Sequence, residues 1–326
     1  MLNYLKKLIG IQSVSGREGR ISEYIKGEIG EYFDECYTDA LGNLICHKKG
    51  EGEKIMFCAH MDEIGFIVTT VDDGGFVHFA PVGGINFTAA AFSEVVFESG
   101  LRGILVPEAG AKDDLKAEKF AVDIGAKNKK EAEKLVKCGD TFAVAPKYMR
   151  LRGGNICGRP FDDKIACAIL MSAAKNSADF KGDVYFVFSV QEEVGLRGSR
   201  VAAFAIAPDV GIALDVTATG DGYKAKPMEV SLGGGAAIKI KDSSVICDAK
   251  LVERMRDTAE REDIKYQLEV LTAGGTDTAS MQLAGAGCKA GCISIPTRYI
   301  HSAVETVRIS DAEAAEKLVV ALCTGK

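Results

Sequence analysis

Apolar residues along this chain change their spacing from one region to the next, and the changes mark out its elements. Within residues 1–37 Leu5, Leu8 and Ile9 recur on one helical stripe, which Ser15-Gly16-Arg17-Glu18 interrupts. Ser15 followed three residues later by Glu18 has the form of a capping box and predicts a second helix over residues 19–33. Asp39-Ala40-Leu41-Gly42-Asn43 reads as a turn feeding a strand, and the apolar run 54–59 is a second strand leading into His60-Met61-Asp62-Glu63. From about residue 66 to 157 the helical period gives way to short alternating runs at 66–71, 77–81, 95–97 and 103–106. Glycines punctuate these runs, and a charged helix over 128–137 interrupts them. From Gly158 helices and strands alternate again. Helices are expected at 165–175, from Gly198-Ser199, at 250–262, from Gly274-Gly275-Thr276-Asp277 and at 310–323, where Ser310 and Asp311 form the cap. Between them lie apolar strands at 183–190, 210–214, 238–240 and 292–295.

This pattern predicts an α/β domain built from residues 1–65 and 158–326, interrupted by a β-rich module at 66–157. Composition narrows the class. The chain of 326 residues is 47% hydrophobic and 26% charged, as expected of a globular protein with a sizeable core. A net charge of −6 argues against a nucleic-acid surface, and charges interrupt every apolar run before it reaches membrane-spanning length. The N-terminal Met1-Leu2-Asn3-Tyr4-Leu5-Lys6-Lys7 reads as an amphipathic helix rather than a signal peptide. The ten cysteines lie mostly in apolar segments and form no CxxC pair. They are read as buried, reduced thiols of a cytoplasmic protein.

The chemistry concentrates where strands end. The strand at 183–190 runs into Gln191-Glu192-Glu193, the strand at 54–59 into His60 and Asp62, and the strand at 210–214 into Asp215. His301 follows the strand at 292–295, and Asp162 stands at the start of a helix. Ligands of open α/β sheets bind at the carboxyl ends of strands. Adjacent residues on a strand point opposite ways, so Glu192 and Glu193 are expected to take different jobs. Of four histidines in the chain, two sit at these strand ends; His47 and His78 lie inside strand-like segments and read as edge or surface residues. Two divalent ions about 3.5–4 Å apart need a shared carboxylate plus a histidine and a carboxylate each. Asp162 suits the bridge, His60 and Asp215 one site, and Glu193 and His301 the other. A one-residue slip would make Asp163 the bridge. Asp62 is spaced to orient the His60 imidazole, and Glu192 remains as the base that takes a proton from the attacking water. A His/Asp/Glu set without thiolates suits zinc, with cobalt or manganese as alternatives.

The chain resembles the M42 family of metal-dependent aminopeptidases, the glutamyl and tetrahedral type sometimes labelled endoglucanases. The matching runs are Thr38-Asp39-Ala40-Leu41-Gly42-Asn43-Leu44, Ala59-His60-Met61-Asp62-Glu63-Ile64-Gly65 and Asp123-Ile124-Gly125-Ala126. They continue through Gly158-Arg159-Pro160-Phe161-Asp162-Asp163-Lys164 and Gln191-Glu192-Glu193-Val194-Gly195-Leu196-Arg197-Gly198. Leu214-Asp215-Val216-Thr217, Gly274-Gly275-Thr276-Asp277 and Arg298-Tyr299-Ile300-His301-Ser302 complete the series, in family order and over nearly the whole chain. The resemblance implies a zinc-exopeptidase-like mixed sheet flanked by helices, with an inserted PDZ-like β-barrel used in oligomerisation. It implies the metal and base roles given above, two metal ions per subunit, and assemblies up to dodecamers that trim N-terminal residues from short peptides. Gly275, Thr276 and Asp277 match a loop beside the family's active site, where packing or substrate contact is expected. The chain departs from the family's usual insert at Phe87-Thr88-Ala89-Ala90-Ala91-Phe92 and at Lys112-Asp113-Asp114-Leu115. A related amidohydrolase, deacetylase or carboxypeptidase would use the same metals on another amide. A glycosidase would need two carboxylates facing one bond and no metal, whereas these acids come with two histidines, and a non-catalytic scaffold would not need the full ligand set.

Overall fold

The computed structural model describes residues 1–110 and 116–325; Lys112-Asp113-Asp114-Leu115 lie outside the described residues. In chain order the strands are β1 (Glu35–Thr38), β2 (Leu44–Lys48), β3 (Lys54–His60), β4 (Gly65–Val71), β5 (Val77–Val82) and β6 (Glu94–Phe97). There follow β7 (Arg102–Pro107), β8 (Phe120–Asp123), β9 (Thr141–Val144), β10 (Lys147–Arg150), β11 (Asn155–Arg159) and β12 (Asp183–Ser189). The last are β13 (Val210–Thr217), β14 (Ala236–Lys241), β15 (Tyr266–Val270), β16 (Lys289–Arg298) and β17 (Glu305–Arg308). The helices are α1 (Leu2–Leu8), α2 (Gly19–Ile29), α3 (Phe87–Ala90), α4 (Lys129–Ala132) and α5 (Lys164–Ala173). α6 (Arg197–Ile206), α7 (Ala249–Arg261), α8 (Asp277–Gln282) and α9 (Ile309–Thr324) complete them.

Among the described residues eleven strands make one mixed sheet in the order β1-β2-β12-β3-β13-β16-β17-β11-β10, with β14 and β15 branching from β16. The middle of the sheet is parallel: β12 pairs with β3, β3 with β13 and β13 with β16. Strand alternation splits the side chains between two layers. Ile55, Phe57 and Ala59 join the large core with residues of α1, α2, α5, α7 and α9. Met56 and Cys58 face a smaller core with Ala202, Ala203 and Ile206 of α6 and Met281 of α8. The parallel register levels the strand ends, pairing Ser189 with His60 and Asp215 with Ser294. The expected α/β architecture is therefore present. No helix among the described residues is long and apolar enough to cross a membrane.

Between β3 and β10 the chain builds a closed antiparallel barrel, β4-β5-β8-β7-β6-β9, and then returns to the large sheet through β10 and β11. Its core is aromatic: the Phe142 ring lies 4.9 Å from Phe66, 4.7 Å from Phe97 and 5.5 Å from Phe79.

Several local expectations are corrected. The second helix ends at Ile29, with a single turn of 3-10 helix at Gly30–Tyr32. No capping box forms, because Ser15 and Glu18 turn toward the loops around Asp62 and Gln191. The charged helix of the barrel shrinks to the four residues of α4, capped by Asn128. Asp311 does not cap α9; its carboxylate accepts from the amides of Gly233 and Gly235. Cys36 and Cys46 are not reduced thiols but a disulfide, since the antiparallel register of β1 and β2 sets them opposite each other with Cα atoms 4.2 Å apart. Cys138 is exposed rather than buried.

Phe142 is fully buried at the centre of the barrel's ring cluster. Phe142→Ala is expected to lower the unfolding free energy by about 3–5 kcal/mol, read as a shift of the urea midpoint of the first transition to respond.

Candidate metal centre

Each candidate ligand is held by the end of a regular element. His60 is the last residue of β3, and Asp215 lies near the end of β13, where it pairs with Ser294. Asp162 and Asp163 precede α5. After β12 ends at Ser189, the chain turns through Gln191, whose φ is +55°, and Glu192 and Glu193 lie in that turn. Their divergence is therefore a property of the turn and not of strand alternation. The Glu192 carbonyl accepts from the amides of Gly195 and Leu196, and α6 starts at the next residue. α6 can approach this closely because position 198 is glycine. A Cβ on Gly198 would lie 2.3 Å from the Asn43 side-chain oxygen and 2.4 Å from the Val190 carbonyl oxygen. Asn43 brackets the same turn, accepting from the Val190 amide and donating to the Gly198 carbonyl.

These elements bring the candidates together as two triads that share Asp162: His60, Asp162 and Asp215, and Asp162, Glu193 and His301. His60 Nε2 lies 3.1 Å from Asp162 Oδ1 and 3.9 Å from Asp215 Oδ1. On the other side His301 Nε2 is 3.3 Å from both Asp162 Oδ2 and Glu193 Oε2. Glu192 belongs to neither triad, yet its Oε2 is 3.9 Å from His60 Nε2. His60 Nδ1 is 3.0 Å from the Asp62 carbonyl oxygen and 3.5 Å from its Oδ1. Both groups are acceptors, so Nδ1 carries a proton and Nε2 is the atom offered to the centre.

Burial and crowding shape the charges. Burial, followed by the charges of the other acids, pushes Glu192, Asp215 and Asp163 well above the usual carboxylate range, and Glu193 rises for the same reasons. Burial also acts to raise Asp162, but hydrogen bonds from His301 and His60 outweigh it and hold that carboxyl low. Burial acts to lower His301, and the Asp162 and Glu193 carboxylates overcome it, carrying the imidazole up to about 11. Glu193 Oε1 and both Asp163 carboxylate oxygens are buried without a hydrogen-bond partner. So many acceptors around two imidazoles fit divalent cations, which would supply the missing positive charge. The nearby thiols are not part of the donor set: Cys167 Sγ lies 3.1 Å from the His60 carbonyl oxygen, and burial pushes it well above its ordinary pKa.

Asp62 carries more than sequence spacing suggests. Its carboxylate accepts from the amides of Glu192 at 2.9 Å and Glu193 at 3.2 Å and from the Ser15 hydroxyl at 2.6 Å. Glu18 accepts from the amide of Gln191, next in the same turn. No pattern in the sequence marks Ser15, Glu18, Asn43 or Glu305 for the site. The signal was faint, since the site partners of the first three lie in distant segments of the chain. Gly275 is exposed, whereas Thr276 and Asp277 are buried. The Asp277 carboxylate accepts from the hydroxyls of Ser189 at 2.6 Å and Ser199 at 2.5 Å, behind the turn that holds Glu192. His47 and His78 lie apart from the cluster, beside Asp183 and Asp72 respectively.

The chain is similar to known proteins along nearly its whole length. The model of the M42 glutamyl aminopeptidase family matches residues 42–318. A relative from Acetivibrio thermocellus is 46% identical over 99% of this chain and 98% of its own. The lysyl aminopeptidase of Pyrococcus furiosus is 34% identical over 98% of this chain and 95% of its own. The Pyrococcus horikoshii TET1 peptidase, which can assemble into a tetrahedron or a large octahedral shell, superposes with a TM-score of 0.88 at 36% identity, covering 99% of this chain and 98% of its own. The chain belongs to the M42 peptidase family and is a hydrolase of peptide bonds, of the aminopeptidase class.

Proposed function

We propose that this protein is a two-metal aminopeptidase that removes N-terminal residues from short peptides with a free amine. The observation that carries the proposal is the pair of triads meeting at Asp162, with Glu192 beside them and in neither. His60, Asp162 and Asp215 would hold one divalent cation, and Asp162, Glu193 and His301 the other. Zinc suits these nitrogen and carboxylate donors best, with cobalt and manganese as substitutes. When bound, such cations polarise the scissile carbonyl and acidify the attacking water. Glu192 takes the water's proton on a carboxylate oxygen and delivers it to the nitrogen of the leaving amine as the C–N bond breaks. A carboxyl raised by burial suits both halves of that task, because it holds a transferred proton more readily than an ordinary carboxylate does. Asp62 holds the His60 ring and, through the amides of Glu192 and Glu193, keeps base and ligand on their separate sides. The barrel from β4 to β9 serves as the module of self-assembly, while 147–157 of the expected insertion 66–157 belong to the large sheet; the exposed Phe76, Phe92, Ile104 and Leu135 on the barrel segment support this reading.

Glu192→Gln is expected to keep the wild-type metal content and lose about 10²–10⁴-fold in kcat. Asp162→Asn is expected to lose metal itself, measured by elemental analysis after dialysis. Near wild-type turnover in Glu192→Gln would remove it as the base. Hydrolysis of aminoacyl-p-nitroanilides should stop on chelation and return with zinc, cobalt or manganese, while N-acetylated substrates stay intact throughout. Cleavage of the acetylated series would point to an amidohydrolase or deacetylase instead. Sedimentation velocity should give a mass many times that of the 34.7 kDa chain, and a monomer at micromolar concentration would refute self-assembly.

A further inference from the structure

We infer that Glu305 is a positioning residue whose buried carboxylate holds the backbone of Asp162 and His301 in register and thereby sets the affinity of the centre for divalent metal. The inference rests on the two-metal reading above and concerns a residue that is itself no ligand. Glu305 opens β17, where it pairs with Gly158 of β11, and it is 1% exposed. From there its two oxygens reach two different segments. Oε2 accepts from the amides of Phe161 at 2.6 Å and Asp162 at 3.2 Å, and Oε1 accepts from the amide of His301 at 3.1 Å. One side chain thus fixes the bridging ligand and a terminal ligand relative to each other.

The turn that carries His301 has particular need of such a hold. Tyr299 and His301 both adopt left-handed backbone, with φ of +63° and +60°, a conformation disfavoured for residues with side chains. The His301 side chain is also 31% exposed, against 2% for His60. Packing therefore fixes His301 less than it fixes His60, and the hydrogen bond to Glu305 offsets the difference. The geometry requires a carboxylate, because both ends of the group must accept. A glutamine offers one oxygen and one NH₂ group, which would confront an amide donor at one end.

Glu305→Gln is expected to bind zinc about 10–100-fold more weakly in chelator competition, the range found when partners of metal ligands are removed. Its lost kcat should return at raised free zinc. A purely structural role would leave the metal affinity of the folded variant unchanged. His301→Ala separates the two readings. If it and the wild type hold the same number of ions, the two-metal reading falls and this inference with it. If His301→Ala loses an ion while Glu305→Gln keeps wild-type affinity, the two-metal reading stands and the Glu305 assignment is overturned. Should Glu305→Gln fail to fold, hydrogen exchange on the metal-free wild type decides. The amides of Phe161, Asp162 and His301 are expected to be protected, and exchange as fast as that of exposed loops would overturn the assignment.

Discussion

The Asp62 carboxylate ties the ends of two parallel strands into one site. β3 delivers His60 and then Asp62, and β12 delivers the turn with Glu192 and Glu193. Parallel pairing alone levels the strand ends, pairing Ser189 with His60, but it says nothing about Glu192 and Glu193, three and four residues further on. The two amide bonds to Asp62 extend the order beyond the sheet. A buried charge-assisted bond from a backbone N–H is among the stronger a protein makes, and here two of them act on consecutive residues. The Ser15 hydroxyl adds a third bond, to the oxygen that also accepts from the Glu193 amide, and so further restrains the Asp62 carboxylate.

That restraint matters because the site concentrates negative charge where water cannot disperse it. Asp162, Asp163, Glu192, Glu193 and Asp215 crowd around two imidazoles, and burial raises most of them. Left mobile, such groups would rotate outward to solvent. Backbone amides oppose this without adding a competing cation: they hold Asp62 and Glu305, which lie outside both triads, and these in turn hold the segments that bear the triad residues. Lys164, the nearest buried ammonium in sequence, is kept out of the donor set by its bonds to Glu63 and the Ile11 carbonyl.

The candidate ligands are legible in the sequence because four of the five stand where an apolar run stops, and the strand-end rule needs only local pattern. The strand-end rule marks His60, Glu193, Asp215 and His301, the start of a helix marks Asp162, and the structure brings the five together. What supports them was not legible, for a physical reason. Ser15, Glu18 and Asn43 act on groups 47 to 173 residues away, and no local period encodes such a partner. Locally, Ser15 and Glu18 make a persuasive helix cap, and tertiary hydrogen bonds override it. The Cys36–Cys46 pair failed similarly: only the register of β1, a strand of four largely exposed residues, sets the two opposite each other. The short runs mark the barrel as a β-rich insertion, but they do not mark β8 or β9.

The insertion also reaches the chemistry. The loop that leaves β5 carries Gly83 and Gly84 against the centre. A Cβ on Gly83 would lie 2.6 Å from the Ile64 side chain and 3.3 Å from Cβ of Glu193, and one on Gly84 would lie 3.3 Å from Nδ1 of His301. Gly83 also has a φ of +80°, which favours glycine in its own right. Two residues of the same triad, Glu193 and His301, are therefore backed by main chain from the barrel. The other triad draws His60 and Asp215 from the central strands of the sheet. The centre thus sits at the seam between sheet and barrel, with one triad on each side of Asp162. A displacement of the barrel would be felt first at Glu193 and His301, while the sheet would keep His60 and Asp215 in place.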